Sequence, residues 1–494
     1  MLLFPILFDN YSLIKRFNGA TIIQYKCWVQ SAGEVKCPIL QNRFIRIEVP
    51  NHSSSVDGNI SSTSCLMNLV TSLPVDVAAH LIGRWLPIDA VCMLEIALCS
   101  AEFRRSLMAI FERCILHSNL SLTRKQFAKW QVDWLEKRKV KVSQLSIGTS
   151  LSELECQELA KVLSRSASVL TSIEIKKQPH FGVLVEFLST HCVHLIVLQV
   201  NGCELTSHFW ELLAKLTSLK VLKINKCTAP WRSCEGLKVR CPSVLQLSIT
   251  GDVDCEIEVA LMRACCNATW FLREDGGEVD LGDIPATLQT LIVRNCDDAM
   301  FFGSFPISLT RVCIANTYLI VNDFEDLLHQ SLHITHLNLI KMNCAGFDES
   351  IIDDIADAYS NTLEEFSASH CVHLTEAALT NLCTKCVHLH TLNISGNSHL
   401  PNSIYRTILN ALPHLDCLNI SNMNVSDAAL RRIARSSLKT LIMLETTGYT
   451  ADGLMALVDG CKCLSVIHIS GDLINSAVVR MWERLRPNLE IMDE

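Results

Sequence analysis

A six-residue apolar pattern, Leu-x-x-Leu-x-Leu with Ile, Val, Phe or Ala at some of its positions, recurs through most of this 494-residue chain and limits its fold more than any other feature. Copies begin at Val142, Leu170, Leu195, Leu219, Val244, Leu288, Leu309, Ile334, Leu363, Leu389, Leu415, Leu438 and Leu464, and Leu489 opens a truncated last one. Successive starts lie 21 to 29 residues apart, except for one gap of 44 residues after Val244 that predicts a degenerate copy near Thr269. Alternation inside each copy turns one apolar set inward and the intervening side chains outward, as a short strand requires.

Between the strands the period changes from 2 to 3.6. Apolar residues at helical spacing appear as Phe209/Leu212/Leu213/Leu216, Ile352/Ile355/Ala356/Tyr359, Leu379/Leu382/Cys383/Cys386, Tyr405/Ile408/Leu409/Leu412, Leu454/Leu457/Val458/Cys461 and Val478/Met481/Trp482/Leu485. Thr206, Thr375, Ser426, Thr450 and Asn475 stand where a side-chain oxygen can cap a helix start. A strand followed by a helix cannot bury its apolar face alone, so the copies must stack. The expected fold is α/β, a horseshoe solenoid of about 14 strand–helix repeats with strands inside and helices outside. In DIPATLQTLIV and FPISLTRVCI a Pro-led turn replaces the helix, so the outer layer should thin there.

Segments such as HCVHLIVLQVNGC at His191 to Cys203 and KCVHLHTLNISGN at Lys385 to Asn397 resemble the cysteine-containing subclass of leucine-rich repeats, solenoids of the ribonuclease-inhibitor kind. That resemblance covers about Val142 to Glu494. It implies that Cys203, Cys227, Cys296, Cys371 and Asn397, which follow their strands, bond the backbone of the turn.

The N-terminal third is built differently. Residues 1–65 hold two strand-like runs and a Ser-rich linker, and carry no assigned function; residues 66–118 parse as three short helices, and 119–141 as a basic amphipathic helix leading to the repeats at 142–494. In the linking helix Phe127, Trp130 and Trp134 are expected to bury against Leu145 and its neighbours. Leu73, Pro74, Leu81, Ile82, Leu86, Asp89, Leu94, Ala97, Cys99 and Phe103 follow the order of an F-box, which the segment resembles. It departs in the longer spacing from Asp89 to Cys99 and in Phe103, where the family has Trp. The resemblance implies that Leu73, Pro74, Leu81, Ile82, Leu86, Asp89, Leu94 and Cys99 dock the adaptor of a cullin-RING ubiquitin ligase.

Charge and cysteine usage narrow the function class. The 43 Lys and Arg against 51 Asp and Glu, a net charge of −8, include no long basic block, so nucleic acid is not an expected partner. No uninterrupted apolar run of membrane-spanning length occurs: Leu66 to Cys99 is broken by Asp76, His80, Arg84, Asp89 and Glu95. MLLFPILFDN has no basic residue before its apolar run and makes a poor secretory signal. The 24 cysteines recur at fixed repeat positions and read as small buried hydrophobes in a reducing compartment, which places the chain in the cytoplasm and/or nucleus. Cys383, Cys386, His388 and His390 have the residue types of a zinc site, but both thiols lie on a helix stripe and the histidines flank an inward strand leucine. No catalytic residue, cofactor site or metal site is expected, since no nucleophile-elbow, phosphate-loop, metalloprotease or kinase motif occurs.

What remains is surface. About 14 strands ~4.8 Å apart give a concave face on the order of 60 Å long, enough for a protein interface of ~800 Å² per partner. Gln199, Lys223, Asn338, Glu364, Ser367, Asn393, Asn419 and His468 are read as its outward polar residues. With the F-box resemblance, the implied function is a substrate receptor that joins a ligase adaptor and cullin to a protein target. A repeat scaffold without ligase association and an enzyme with an unrecognised site are the alternatives.

Overall fold

The structure, a computed structural model, describes residues 73–85, 91, 95, 101–117, 120–122, 125–230, 239–277, 279–280, 284–300, 305–319, 321–342, 349–470, 482, 484 and 486–492. The expectations for residues 1–65, for Leu86, Asp89, Leu94, Cys99 and Asn475, and for most of the Val478 stripe lie outside the described residues. Contacts divide the chain into one unit ending at Ile196 and another beginning at Val197.

In the first unit, α1 (Val75–Trp85) packs on α2 (Ala101–Arg113), and two short strands follow, β1 (Ile115–Leu116) and β2 (Leu120–Leu122). Gly83 is required where α1 meets β1, because a Cβ there would stand 2.0 Å from the Ile115 carbonyl oxygen. Next come α3 (Lys125–Arg138), β3 (Lys141–Val142), β4 (Gln144–Ile147), α4 (Glu153–Leu163), β5 (Ser172–Lys176) and α5 (Phe181–His191). Strands β2, β4 and β5 pair in parallel, so the array starts at Leu120, one strand before the expected Val142, and α3 is the helix of that first copy. The aromatics of α3 divide. Trp134 is buried edge-on against Phe111 with ring centroids 5.4 Å apart and donates from Nε1 to Glu95 at 2.6 Å, whereas Trp130 stays 42 % exposed rather than buried as expected.

The second unit carries the long parallel sheet. Its strands are β6 (Val197–Asn201), β7 (Val221–Asn225), β8 (Gln246–Thr250), β9 (Trp270–Glu274), β11 (Thr290–Arg294), β13 (Arg311–Ala315), β15 (His336–Ile340), β16 (Glu365–Ser369), β17 (Thr391–Asn393), β18 (Cys417–Asn419), β19 (Thr440–Met443), β20 (Val466–Ile469) and β21 (Glu490–Met492), paired in that order. Helices α6 (Ser207–Lys215), α7 (Cys255–Ala264), α8 (Val321–Gln330), α9 (Glu349–Ala358), α10 (Glu376–Lys385), α11 (Ile404–Ala411), α12 (Asp427–Ile433) and α13 (Ala451–Gly460) connect them, with α8 to α13 packed in sequence order. Thr375 and Ser426 cap α10 and α12 as expected, accepting from the N–H of Ala378 and Ala429. Thr206 and Thr450 hold cap positions without that bond.

The long gap resolves into α7 and β9, a complete strand–helix copy that the apolar pattern did not display. Among the described residues no helix lies between β9 and β11 or between β11 and β13. A second small parallel sheet stands there instead, formed by β10 (Val279–Asp280), β12 (Asp298–Met300) and β14 (Tyr318–Leu319). This is the thinning that the two Pro-led copies predict.

Each copy before the truncated last one buries its first, fourth and sixth pattern residues, as with Leu219, Leu222 and Ile224 or Leu389, Leu392 and Ile394. After the strand the backbone turns through the left-handed region at residues such as Lys226, Asn295, Asn316 and His370. The following side chain then satisfies carbonyls that the turn leaves open. Cys203 Sγ lies 3.4 Å from the Asn201 carbonyl, Cys227 Sγ 3.4 Å from that of Val200, Cys296 Sγ 3.3 Å from that of Arg294, and Cys371 Sγ 3.5 Å from that of Leu339. Asn397 does more: its Nδ2 donates to the carbonyls of Ala368 (2.7 Å) and Ile394 (2.9 Å), while its Oδ1 accepts from the Cys371 N–H (2.9 Å). These five residues therefore bond the turn backbone as the repeat resemblance implies.

One copy breaks the apolar rule. In β9 the inward residue is Arg273, 1 % exposed, with Nε 2.6 Å from Oε1 of Glu258 on α7, also 1 % exposed. Its Nη1 donates to the carbonyls of Gly251 (2.9 Å) and Glu274 (3.2 Å).

Candidate functional site

Two surfaces carry the residues singled out in the sequence. The first is the edge of α1. Its sequence, VDVAAHLIGRW, alternates at helical spacing, so Val77, Ala78, Ala79 and Ile82 turn inward and leave the opposite side open. Pro74 is exposed, Leu73 half-buried and Leu81 42 % exposed, so these three expected adaptor residues reach the surface. Ile82 does not: at 5 % exposure it packs inside the helical layer and acts on the surface only through the position of α1. Exposed Arg84 gives this edge a cationic end, and burial, aided by His80 and Arg84, pushes the pKa of nearby His117 down.

The second surface is the outward side of the sheet in the second unit. Parallel register places one outward residue of every strand in a single row, in the order Gln199, Lys223, Ser248, Leu272, Ile292, Cys313, Asn338, Ser367, Asn393, Asn419, Ile442, His468 and Met492. Seven of the eight expected surface residues thus fall in this row. Glu364 stands one residue before β16, exposed and beside the face rather than on it.

Within the row these seven residues are not equivalent. Lys223 is exposed, and Gln199, Asn338 and His468 are half-buried. Asn393 and Asn419 accept at Oδ1 from the N–H of Ser395 and Ser421, both at 3.0 Å, so their side chains hold their own turns and offer less to a partner. Ser367 is only 5 % exposed, covered by its larger neighbours on the sheet, and does not present a contact as expected.

Sequence reasoning missed the middle of the face. Leu272, Ile292 and Cys313 interrupt a polar row with three adjacent apolar side chains, of which Leu272 and Ile292 are half-buried and Cys313, with Arg294 against its thiol, is 6 % exposed. In the parallel row toward the N-terminal ends of the strands, Trp270, Thr290, Arg311, His336 and Glu365 stand side by side. Arg311 Nη2 lies 3.1 Å from Nε2 of His336, and that nitrogen lies 3.3 Å from Glu365 Oε1, so the three polar side chains are in register across three strands, with Nε2 able to accept from the arginine or donate to the carboxylate but not both. The signal was present in LQTLIV and LTRVCI, where the alternation that identified the strands also puts Ile292, Arg311 and Cys313 outward.

The zinc-like constellation does not assemble. Cys383 and Cys386 are buried, with burial raising their pKa values to about 12 and about 11, while His388 and His390 are exposed. Among the described residues no cluster of three or more His, Cys, Asp or Glu has the geometry to hold a metal ion, and no helix is long and apolar enough to cross a membrane.

No protein-family model and no curated protein matches the chain. Among solved structures it is similar to one of the Rad7 and Elc1 complex from yeast, with 13 % sequence identity, 83 % of this chain and 93 % of that chain covered, and a TM-score of 0.33. A superposition that loose carries nothing over to this chain.

Proposed function

We propose that this chain is a protein-binding repeat array that serves as the substrate receptor of a cullin-RING ubiquitin ligase. The observation that carries the reading is the pairing in one chain of an F-box-like helix, α1, where Leu81 and the preceding Pro74 are exposed, with a parallel sheet whose outward row carries exposed Lys223 and half-buried Gln199, Asn338 and His468. The helix edge would dock the adaptor and through it the cullin, and the sheet would hold the protein target. On this reading the chain is not an enzyme and needs no cofactor or metal. It works by position, raising the effective concentration of target lysines near a ubiquitin-charged enzyme supplied by other subunits. The compartment is the cytoplasm and/or nucleus, where such assemblies act.

The test is a pull-down of the whole chain beside the double variant Pro74→Ala/Leu81→Asp, scored for adaptor and cullin by mass spectrometry. Both substitutions fall on the exposed edge and spare the buried side of α1. Recovery of adaptor and cullin by the intact chain and their loss with the variant is the expected result. Recovery by neither form, with another partner retained by both, would leave a repeat scaffold without ligase association.

A further inference from the structure

We infer that the outward faces of β9, β11 and β13 form a docking surface for an acidic segment of a partner protein, whose carboxylates meet Arg294 and Arg311 and whose apolar side chain covers half-buried Leu272 and Ile292. The inference rests on the reading of the chain as a protein-binding array and names the chemistry of what it binds.

The apolar core of the surface follows from register. Leu272, Ile292 and Cys313 are direct neighbours on three paired strands, at ~4.8 Å per strand, and Trp270 lies on the same face of β9. Elsewhere the same row is polar from Gln199 to Ser248 and again from Asn338 to Asn419. Leu272 and Ile292 remain half-buried beside a half-buried tryptophan while Cys313 is already 6 % exposed, so the first two are what a partner would cover, and Trp and Arg are the residues that most often anchor interfaces.

The charge of the occupant follows from what the arginines lack. Arg294 stands at the C-terminal end of β11, half-buried, and its Nε is sealed from solvent without a hydrogen-bond partner among the described residues. Its Nη2 reaches Cys313 Sγ at 3.6 Å, a weak acceptor. Glu274 is opposite Arg294 in the ladder, yet no ion pair joins them. The sealed Nε leaves the guanidinium underbonded, and its half-buried Nη end, held only by that weak acceptor, is where a partner carboxylate would satisfy it best. At the other end of the strands Arg311 is exposed and, among the described residues, its guanidinium meets the imidazole of His336 through Nη2 alone, so it too has donors to give. The two cations flank the apolar row on opposite sides, which fits a segment with acidic residues before and after an apolar one.

The experiment is selection of a displayed random-peptide library on the full chain, followed by titration of the enriched peptides against Arg294→Gln, Arg311→Gln and Leu272→Ser. Expected are peptides that combine Asp or Glu with a large apolar side chain and bind each arginine variant about tenfold more weakly, the loss of one charge-assisted hydrogen bond. Because Arg294 and Arg311 lie on the solvent side of their strands, unchanged thermal melting of those two variants separates lost contact from lost fold. Enrichment of Lys- or Arg-rich peptides, no enrichment, or binding indifferent to all three substitutions would overturn the inference. So would displacement of the peptides by a single-stranded oligonucleotide, which would assign the cations to phosphate. Adaptor recovery is read separately: peptide binding here without adaptor binding removes the ligase reading and leaves this surface standing, and the reverse result removes the surface alone.

Discussion

The buried pair Arg273–Glu258 offers the sharpest test of how the array is held together. Both side chains are 1 % exposed and meet at 2.6 Å, and two backbone carbonyls accept from the same guanidinium. Arg273→Leu would leave a carboxylate sealed in the core, and Glu258→Leu a guanidinium with carbonyls alone. Removing one member of a buried pair costs about 3–5 kcal/mol. The double change Arg273→Leu/Glu258→Leu removes both charges and fills the slot with the residue the pattern elsewhere prefers. It loses the donors to Gly251 and Glu274, so its net effect should be within about 2 kcal/mol of zero. The cycle should therefore show a coupling of about 3 kcal/mol or more. Stability in stacked repeats is a sum of copy and neighbour terms, so the loss is read by urea unfolding together with hydrogen exchange resolved at β8, β9 and β11. Gly276→Ala is an independent route to the same defect, since the added methyl would sit 2.0 Å from Arg273 Nη2. Equal penalties for the double and either single variant, or strictly additive ones, would refute the pairing argument.

The turn ladder predicts that Asn397→Ala, which strands the Cys371 N–H and the Ala368 and Ile394 carbonyls, destabilises by about 3 kcal/mol, while Asn397→Cys, copying the neighbouring rung, costs less; urea melts decide. Burial raises the thiol pKa of Cys114, Cys192, Cys241 and Cys383 from 9.0 to about 12, so a thiol reagent near neutral pH should label exposed Cys255 and Cys463 first, and labelling of the buried set at the same rate would contradict the packing. The sign for stability follows: a folded pKa above the unfolded one favours the fold below pH 9, and that contribution drains away as pH rises from 9 toward about 12, which an alkaline unfolding curve measures. At Asp427 the order reverses, because hydrogen bonds from the Thr450 N–H and hydroxyl lower its pKa. Its contribution is present above the ordinary carboxylate range and lost as pH falls through the folded value, so Asp427→Asn should flatten the acid limb.

Much of this fold was legible in the sequence because the signal is repeated. A strand register repeated at nearly constant spacing leaves little freedom, and the starts from Val142 to Leu464 each fall at or just before an observed strand. What was hidden depends on long-range partners. The copy at β9 opens on the small Ala268 and places Arg273 at a pattern position elsewhere apolar, so periodicity alone passes over it; only Glu258 on α7 makes that arginine an inward residue. Strand β2 is three residues long and becomes visible through its pairing with β4. On the candidate face, alternation identified outward positions, but not that Asn393 and Asn419 would turn back on their own loops, that Ser367 would be covered, or that Trp130 would remain outside.

Strand β9 also shows how the buried charge and the candidate docking surface depend on each other. Its two faces are Trp270, Leu272 and Glu274 against Phe271 and Arg273. Hydrophobicity alone favours turning Trp270 and Leu272 into the core and leaving Arg273 in water, and a one-residue slip would accomplish that exchange. The observed register is the opposite: Leu272 pairs beside Ile292, and Phe271 beside Leu291 in the interior. Glu258 is what makes that choice tolerable, since it supplies Arg273 with a carboxylate that the slipped register would leave buried and uncompensated. The ion pair adds little to stability by itself, but it fixes which side of β9 faces outward. The apolar centre of the sheet surface, at Trp270 and Leu272, is thus held in place from behind by a salt bridge, and the double variant Arg273→Leu/Glu258→Leu should keep it there because leucine carries the same inward preference. The Glu258→Leu variant alone relieves the constraint without replacing it, and should be the one that lowers peptide capture at this face.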